Sequence, residues 1–422
     1  MEPFEGIRVV ELAVAVQGPG AGGLLAGLGA DVIKVEPPGG EANRWYRSVR
    51  NPTSDAAPGT QFLGVNAGKR SLSLDIHTDL GREVIDRLIA GADVLLSNYR
   101  EPALERMGVG YEALHARHPR LIYAVASGYG HLGPWRQHRM SDSFAQARSG
   151  ISSVTGHPGD APVIPGAIVG DTAGSMALAL GILTALFERE RHGIGQKVST
   201  SAYGALLWMQ SWEINHSSVT GHVLRREGAF HTASPQMTGL YETADGGAFC
   251  IGIRDDESWR AFCEFGHTPE LAVDPRWDTA RKRNPASGLP RASEEEFDDV
   301  CLRLRPAIAA VMRRRRTDEW ADFFELHPDG IIAQRVFDYA DVLADEQARA
   351  NGYIVEKEIP HVGRRAVVGE PVQLSETPGS PKVLFAEHGE HTAEIMRALG
   401  FDAAAIAEVE AQRAPGTGRW PA

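Results

Sequence analysis

The sequence predicts an α/β fold, a large doubly wound parallel sheet with a smaller α+β domain. Two observations carry this expectation. Short apolar runs alternate with helical periodicity through the first half of the chain, and β-turn-α-β order of that kind builds parallel sheets. After residue 220 the pattern changes: Gly239 to Ile253 alternates around Asp245, Gly246 and Gly247 and reads as a hairpin. A first unit is therefore drawn over residues 1–220 and a smaller unit over 221–335.

Taken in order, Ile7 to Ala15 has strand-like alternation, Gly18 to Gly23 is a glycine-rich turn, and Leu24 to Leu28 begins a helix. Asp31 to Glu36 is the second strand and Ser71 to Asp75 a third. Leu80 to Ala90 is helical, Ala92 to Leu96 and Leu121 to Ser127 are short buried strands, and Glu101 to Leu114 between them is partly helical. Lys197 to Ser201 is a strand and Tyr203 to Ser217 an apolar helix. In the second half, helices are expected at Glu257 to Phe265, Glu294 to Arg316 and Ile332 to Leu343, with a long loop from Pro269 to Pro290. Strands around Tyr353 to Ile359 and at Val367 to Val368 precede a helical tail from Glu390.

Composition limits the function classes. With 422 residues, 43% hydrophobic and 23% charged, the chain has the make-up of a soluble globular protein. A formal charge of -12 argues against a nucleic-acid surface as the main function and leaves a small polyanionic ligand open. Cys250, Cys263 and Cys301 stand far apart and the histidines lack ligand spacing, so no metal is expected. Neither a secretory signal nor a membrane span is read, because Asp171 and Glu188 bracket the longest apolar run; a cytoplasmic location is the expectation. The basic run Arg313 to Arg316 reads as a solvated helix end.

The stretch Pro162 to Gln196 is the most informative. An apolar extended run ends at Gly170, Asp171 follows, and a long helix of small residues begins directly after it. The expected position is a helix N-terminus, where unpaired N–H groups and the macrodipole hold a carboxylate ionised and stabilise a nearby oxyanion. A helix cap is the plain reading of such an Asp.

The segment Gly18 to Gly23 also satisfies G-x-G-x-x-G, with Glu36 ending the next strand, so a nicotinamide-dependent dehydrogenase is an alternative. Two features weigh against it. Val14 to Gln17 intervenes before the first glycine, and Pro19 removes an N–H from a loop that would offer such groups to pyrophosphate. Two further patches fall beyond strand carboxyl ends: Asn66 with Lys69 and Arg70, and Asn98 with Tyr99, Arg100, Arg106 and Met107. Cations for phosphates and an apolar flank for a purine together suggest a nucleotide-like anion.

These residues resemble the class III CoA-transferases, a family that also contains α-methylacyl-CoA racemases. The resemblance runs through Leu28 to Glu36, Asn66 with Lys69 to Leu72, Ala92 to Asn98, Leu104 to Gly108, Gly128 to Gly130, Gly170-Asp171, His192 to Val198 and Gly389 to Thr392. It implies CoA as substrate, carried from an acyl-CoA to a small carboxylic acid, with Asp171 as nucleophile and an aspartyl-CoA thioester intermediate. Gln17 would assist it. Val14, Val16, Leu72, Asn98, Tyr99, Arg106, Met107 and Arg139 would contact CoA. It further implies that residues 336–422 return to complete a Rossmann-like large domain and that two chains interlock as a homodimer; a subunit of a heteromeric transferase is the other possibility. Racemisation requires two bases, and Ser141-Asp142 stands where racemases carry a His-Asp pair. Trp208 and Trp212 suggest an acceptor larger than oxalate.

Overall fold

In a computed structural model of the protein, residues 2–46, 57–234, 236–285, 293–379 and 385–414 are described. They form two compact units: the first within residues 1–149, 166–209 and 343–422, the second within 150–165 and 210–342. The first boundary falls at Met209 rather than near 220. The expected apolar helix breaks at Gln210 into Ala202–Met209 and Ser211–Thr220.

The first unit holds a six-stranded parallel sheet in the order β3-β2-β1-β4-β5-β6. Its strands are β1 (Arg8–Leu12), β2 (Asp31–Glu36), β3 (Arg70–Ser73), β4 (Val94–Ser97), β5 (Ile122–Ser127) and β6 (Lys197–Ser201). Strand side chains alternate between faces. Val9, Val32, Val94, Leu96, Ile122 and Ala124 pack under the Gln17–Gly27 and Val169–His192 helices. Val10, Leu12, Ile33, Val35 and Leu95 form the opposite layer with Val84, Ile85 and Leu88 of the Asp79–Ala90 helix and with Ile395 and Ile406 of the C-terminal helices. Thr78 caps the Asp79–Ala90 helix through the Gly81 N–H at 3.0 Å. The tail thus contributes core side chains to the first unit.

One expectation fails here for a reason of packing. The Gly18–Gly23 segment is helix rather than turn, within Gln17–Gly27. Its glycines are packing sites: a Cβ on Gly20 would stand 2.4 Å from Ser175 Oγ, and one on Gly23 would stand 2.9 Å from the Val65 carbonyl oxygen. Close approach between elements, invisible to local propensity, overrides the turn preference of glycine. The Val169–His192 helix is long and apolar enough, with mean hydropathy 1.4, to span a membrane by length and composition. Leu178, Ile182, Ala185 and Leu186 nonetheless bury against the sheet.

The second unit is built on the antiparallel strands β7 (Gly239–Glu242), β8 (Ala248–Ile253) and β9 (Ile331–Arg335). Trp259, Phe262, Trp320, Phe323 and Phe324 fill its core. The Ile332 to Leu343 stretch was expected to be helical, but its start is β9, where Ile331 and Ala333 pair with Ile253 and Ile251. Long-range pairing decides over periodicity in so short a run. The expected loop contains the short helices Pro269–Ala272 and Ala280–Arg283, and 286–290 lie outside the described residues. Arg314 and Arg315 of the basic run donate to the carbonyls of Phe265, Gly266 and His267. A further hairpin, β10 (Ile354–Ile359) with β11 (Gly363–Val368), belongs to the first unit.

The segment joining β1 to the Gln17–Gly27 helix is held from below by buried charges. Lys34 Nζ lies 2.9 Å from both Glu11 Oε1 and the Ala13 carbonyl oxygen and also pairs with Glu41. Lys69 Nζ bonds Glu11 Oε2, Asn66 Oδ1 and the Pro19 carbonyl at 2.7, 2.9 and 2.7 Å. Glu41 Oε1 accepts the Ala15 N–H at 2.7 Å. Beside them Glu36 takes Arg44 and Ser71. Burial would raise the Glu11 carboxyl, yet Lys34 and Lys69 outweigh it and hold it below its ordinary range. Burial likewise opposes ionisation of Glu36, but Arg44 brings it down to about 2.

Removing one member of such a cluster leaves buried charges unpaired, which costs about 3–5 kcal/mol. Glu11→Ala is expected to lower the denaturant midpoint accordingly. Arg82→Ala, which breaks an exposed pair with Asp79, should change stability by less than about 1 kcal/mol. Equal effects would show that the cluster does not hold this segment.

Candidate active site

The carboxyl ends of β1, β4 and β5 open on a cavity of about 400 Å³. Strand order reverses between β1 and β4, the place where an open α/β sheet receives ligands. The turn after β1 supplies Val14, Ala15, Val16 and Gln17; the turn after β4 supplies Asn98, Tyr99, Arg100 and Glu101. The long connection after β5 supplies residues from Ser127 to Ser141, and Asp171 completes the wall.

The β1 turn is fixed residue by residue. Asn98 clamps Val14, accepting its N–H at 2.9 Å and donating to its carbonyl at 2.7 Å. Ala15 takes a positive φ of 64°, a conformation uncommon outside glycine, and its N–H is held by Glu41. Gln17 is buried at the first position of its helix. In the amide orientation that satisfies both neighbours, its NH₂ donates to the Ser127 carbonyl at 3.1 Å and its oxygen accepts the Ala202 N–H at 3.0 Å. Gly174 makes room for it, since a Cβ there would stand 2.3 Å from the end of the Gln17 amide. Ser175 Oγ lies 2.8 Å from the Gln17 carbonyl oxygen and 2.9 Å from that of Asp171, tying the two helices together.

Asp171 is the third residue of the Val169–His192 helix, which begins three residues earlier than expected. It does not cap that helix. Ile168 at the cap position offers no side-chain acceptor, and Asp142 from the Asp142–Ser149 helix takes the role. Its Oδ1 accepts the Gly170 N–H at 2.7 Å and the Asp171 N–H at 3.0 Å. The Val169 N–H bonds the Ala167 carbonyl. The helix-start donors that were expected to stabilise Asp171 and an oxyanion are therefore occupied. Burial pushes the Asp171 carboxyl up to about 6, and the neighbouring Asp142 charge adds to the rise.

Of the residues expected at the site, Val14, Val16, Gln17, Asn98, Tyr99, Arg139 and Asp171 line this one cavity. Leu72 does not: the alternation of β3 turns it into the core, where it is fully buried. Arg106 ends the Glu101–Arg106 helix exposed to solvent, and Met107 packs against the core. Lys69 is buried in the charge cluster, while Arg70 pairs with Asp31 and Glu394, so the Lys69-Arg70 patch does not present free cations. Glu36, the ribose-binding candidate, is buried against Arg44. Trp208 and Trp212 do not line the cavity; Trp212 stacks on His231.

Sequence reading noted Asp142 only beside Ser141, missing its bonds to the helix start, and missed most of the basic connection after β5. His131, Arg136 and His138 line the cavity alongside Arg139. This connection is anchored where Trp135 stacks under the Arg148 guanidinium, 3.8 Å from ring centroid to carbon. Arg100 also reaches it, through the Gln137 carbonyl. The density of basic residues directly after a parallel strand was the available signal. Cations lining one wall with a buried carboxylate at the end suit an anionic ligand carrying an electrophilic carbon. Among the described residues no cluster of metal-ligating side chains occurs.

Known proteins share this architecture along nearly the whole chain. Residues 4–392 match the family model for CoA-transferase family III. A succinyl-CoA–D-citramalate CoA-transferase of Chloroflexus aurantiacus is 32% identical, with 97% of this chain and 98% of the relative covered. A succinyl-CoA:mesaconate CoA-transferase of Haloarcula marismortui is 31% identical, covering 95% and 98%. The crystal structure of a CAIB/BAIF family protein from Brucella suis superposes with a TM-score of 0.81 at 28% identity, covering 94% of this chain and 99% of that one. The chain belongs to CoA-transferase family III.

Proposed function

We propose that this enzyme moves CoA from an acyl-CoA to a small carboxylic acid by covalent catalysis on Asp171. The observation that carries the reading is the half-buried Asp171 carboxylate at the end of a cavity walled by Arg139, Arg136 and the two histidines. An Asp171 oxygen attacks the thioester carbonyl, the C–S bond breaks, and CoA leaves as thiolate, giving a mixed anhydride. The thiolate attacks the Asp171 carboxyl carbon, releasing the donor acid and leaving an aspartyl-CoA thioester. The acceptor carboxylate then attacks that thioester, and the same two steps run in reverse to release the new acyl-CoA and free Asp171. No net proton is consumed.

Carboxylates are weak nucleophiles, so positioning and oxyanion donors carry the rate. A primary amide has two donor hydrogens; Gln17 gives one to Ser127, and the second serves the tetrahedral oxyanion. Arg139 and Arg136 hold CoA phosphates, with Tyr99 flanking the adenine. The relatives' names point to succinyl-CoA as the first donor to test and to a branched or unsaturated dicarboxylic acid as acceptor. We further propose a homodimer; Met176, Leu180 and Phe187, exposed on the Val169–His192 helix, suit a covered surface. Racemisation has no added support, since Ser141 lines the cavity where a second base would be required.

Incubation with succinyl-CoA followed by hydroxylamine or borohydride trapping should modify Asp171, as read by peptide mass spectrometry. A trapped adduct on another residue overturns the mechanism. Asp171→Asn should lower kcat by about 10³-fold or more. Because the ionised carboxylate attacks, kcat/KM should be level at neutral pH and fall below about pH 6.

The same raised value makes a stability prediction. The folded group titrates at about 6 and the unfolded one at 3.8, so the protonated form favours folding and the ionised form opposes it. That contribution is present below the unfolded value and lost as pH rises through about 6, a cost of about 1–3 kcal/mol at neutral pH. Asp171→Asn should therefore be more stable than wild type at pH 7.5, with the difference shrinking toward pH 4 in thermal melts. A residue whose role was to cap the helix would instead lose stability on substitution.

A further inference from the structure

The Val169–His192 helix starts on Ile168, which provides no side-chain acceptor. Its first turn is organised by a carboxylate from elsewhere in the sequence: Asp142 Oδ1 accepts consecutive N–H groups of Gly170 and Asp171 at 2.7 and 3.0 Å. The other Asp142 oxygen is held by Gln146 Nε2, which also donates to the Ala167 carbonyl at 3.2 Å. Gly170 has no space for a side chain, because a Cβ would lie 2.9 Å from Leu206 Cδ1 and 3.0 Å from Asp142 Oδ1. The Asp142–Gln146 pair thus grips the segment entering the helix on both sides of Ile168.

The two N–H groups include that of Asp171 itself, so the same contact sets the direction of its Cα–Cβ bond. Helix-start donors preferentially take an anion. Here the anion they take is Asp142, and among the described residues no hydrogen bond is made to either Asp171 carboxylate oxygen. A carboxylate bound by several N–H groups is a weaker base and a weaker nucleophile than a bare one.

Resting on the reading of Asp171 as nucleophile, we propose that Asp142 is its positioning residue: it fixes the backbone of Gly170 and Asp171 and claims the helix-start donors, leaving both Asp171 oxygens free to attack. The other ionisable groups facing the cavity are Tyr99, Arg100 and Glu101 from the turn after β4 and His131, Arg136, His138 and Arg139 from the connection after β5. None of them replaces the two backbone contacts of Asp142.

The test compares Asp142→Asn with Asp142→Ala in the full-length enzyme, using succinyl-CoA with a dicarboxylic acceptor. Asn retains an oxygen for both N–H groups and removes the charge; Ala removes both. Asp142→Ala is expected to lower kcat by about 10²-fold, the scale of a misplaced reacting group, with little change in the KM for acyl-CoA. Asp142→Asn is expected to recover most of kcat and to move the acid limb of kcat/KM to lower pH. A folded Asp142→Asn enzyme no faster than Asp142→Ala, or wild-type kcat in Asp142→Ala, overturns the positioning role. Borohydride trapping on the wild type separates the two claims: absence of an Asp171 adduct there refutes the nucleophile, whereas an adduct with unaffected Asp142 variants refutes only the positioning.

Discussion

Everything at the candidate site depends on the buried charges beneath the β1 turn. A loop that must expose backbone to a ligand cannot bury apolar side chains on that side, so it needs another source of rigidity. Lys34, Lys69 and Glu41 provide it by bonding Ala13, Pro19 and Ala15 directly. Glu11 links the two buried lysines: with Glu41 and Glu36 it raises Lys34 against the effect of burial, whereas at Lys69 burial prevails and lowers it to about 8. The arrangement supports the positive φ of Ala15 and so the entry angle of the helix that carries Gln17. A similar logic operates on the other wall, where a carboxylate bonds backbone N–H groups in place of a local cap.

The two walls leave Asp171 in an unusual electrostatic position. Burial and a like charge destabilise its ionised form, and a group destabilised in the resting protein reacts more readily than one satisfied by hydrogen bonds. Folding opposes this arrangement, and the surrounding sheet, with two packed faces, supplies the stability to maintain it. Glycines contribute by letting the helices approach: Gly20 and Gly174 bring Ser175 and Gln17 to within bonding range of the opposite helix.

Most of the parallel sheet was legible in the sequence, because buried strands and amphipathic helices leave opposite periodicities. β2 and β6 fall on the expected residues, and the Asp79–Ala90 helix starts one residue early. Elements decided by distant partners were not legible. The glycine segment looked like a turn because sequence does not show Ser175 or Val65 facing it, and β9 looked helical because its pairing partner lies about eighty residues away. The site was readable through Asp171, Asn98 and Gln17. Lys69 and Arg70 misled: a cation beyond a strand end has the same sequence signature whether it meets a phosphate or a buried Glu11. The bonds of Asp142 were passed over because its partners are backbone groups 28 and 29 residues away, and a backbone donor has no sequence identity.

The contact between the Gln17–Gly27 and Val169–His192 helices has a mechanical consequence. With Ser175 seated against Gly20 and Gln17 seated over Gly174, neither helix can slide or rotate past the other without a steric clash of backbone-scale atoms. Asp171 and the neighbouring Gln17 amide therefore move as one body. The connection after β5 is built differently: it is solvent-exposed from His131 to Arg139 and joined to the body by the Arg148–Trp135 stack. The Asp171 end of the cavity thus stands on packed helices and the basic wall on an exposed connection, so one can be altered with little disturbance of the other.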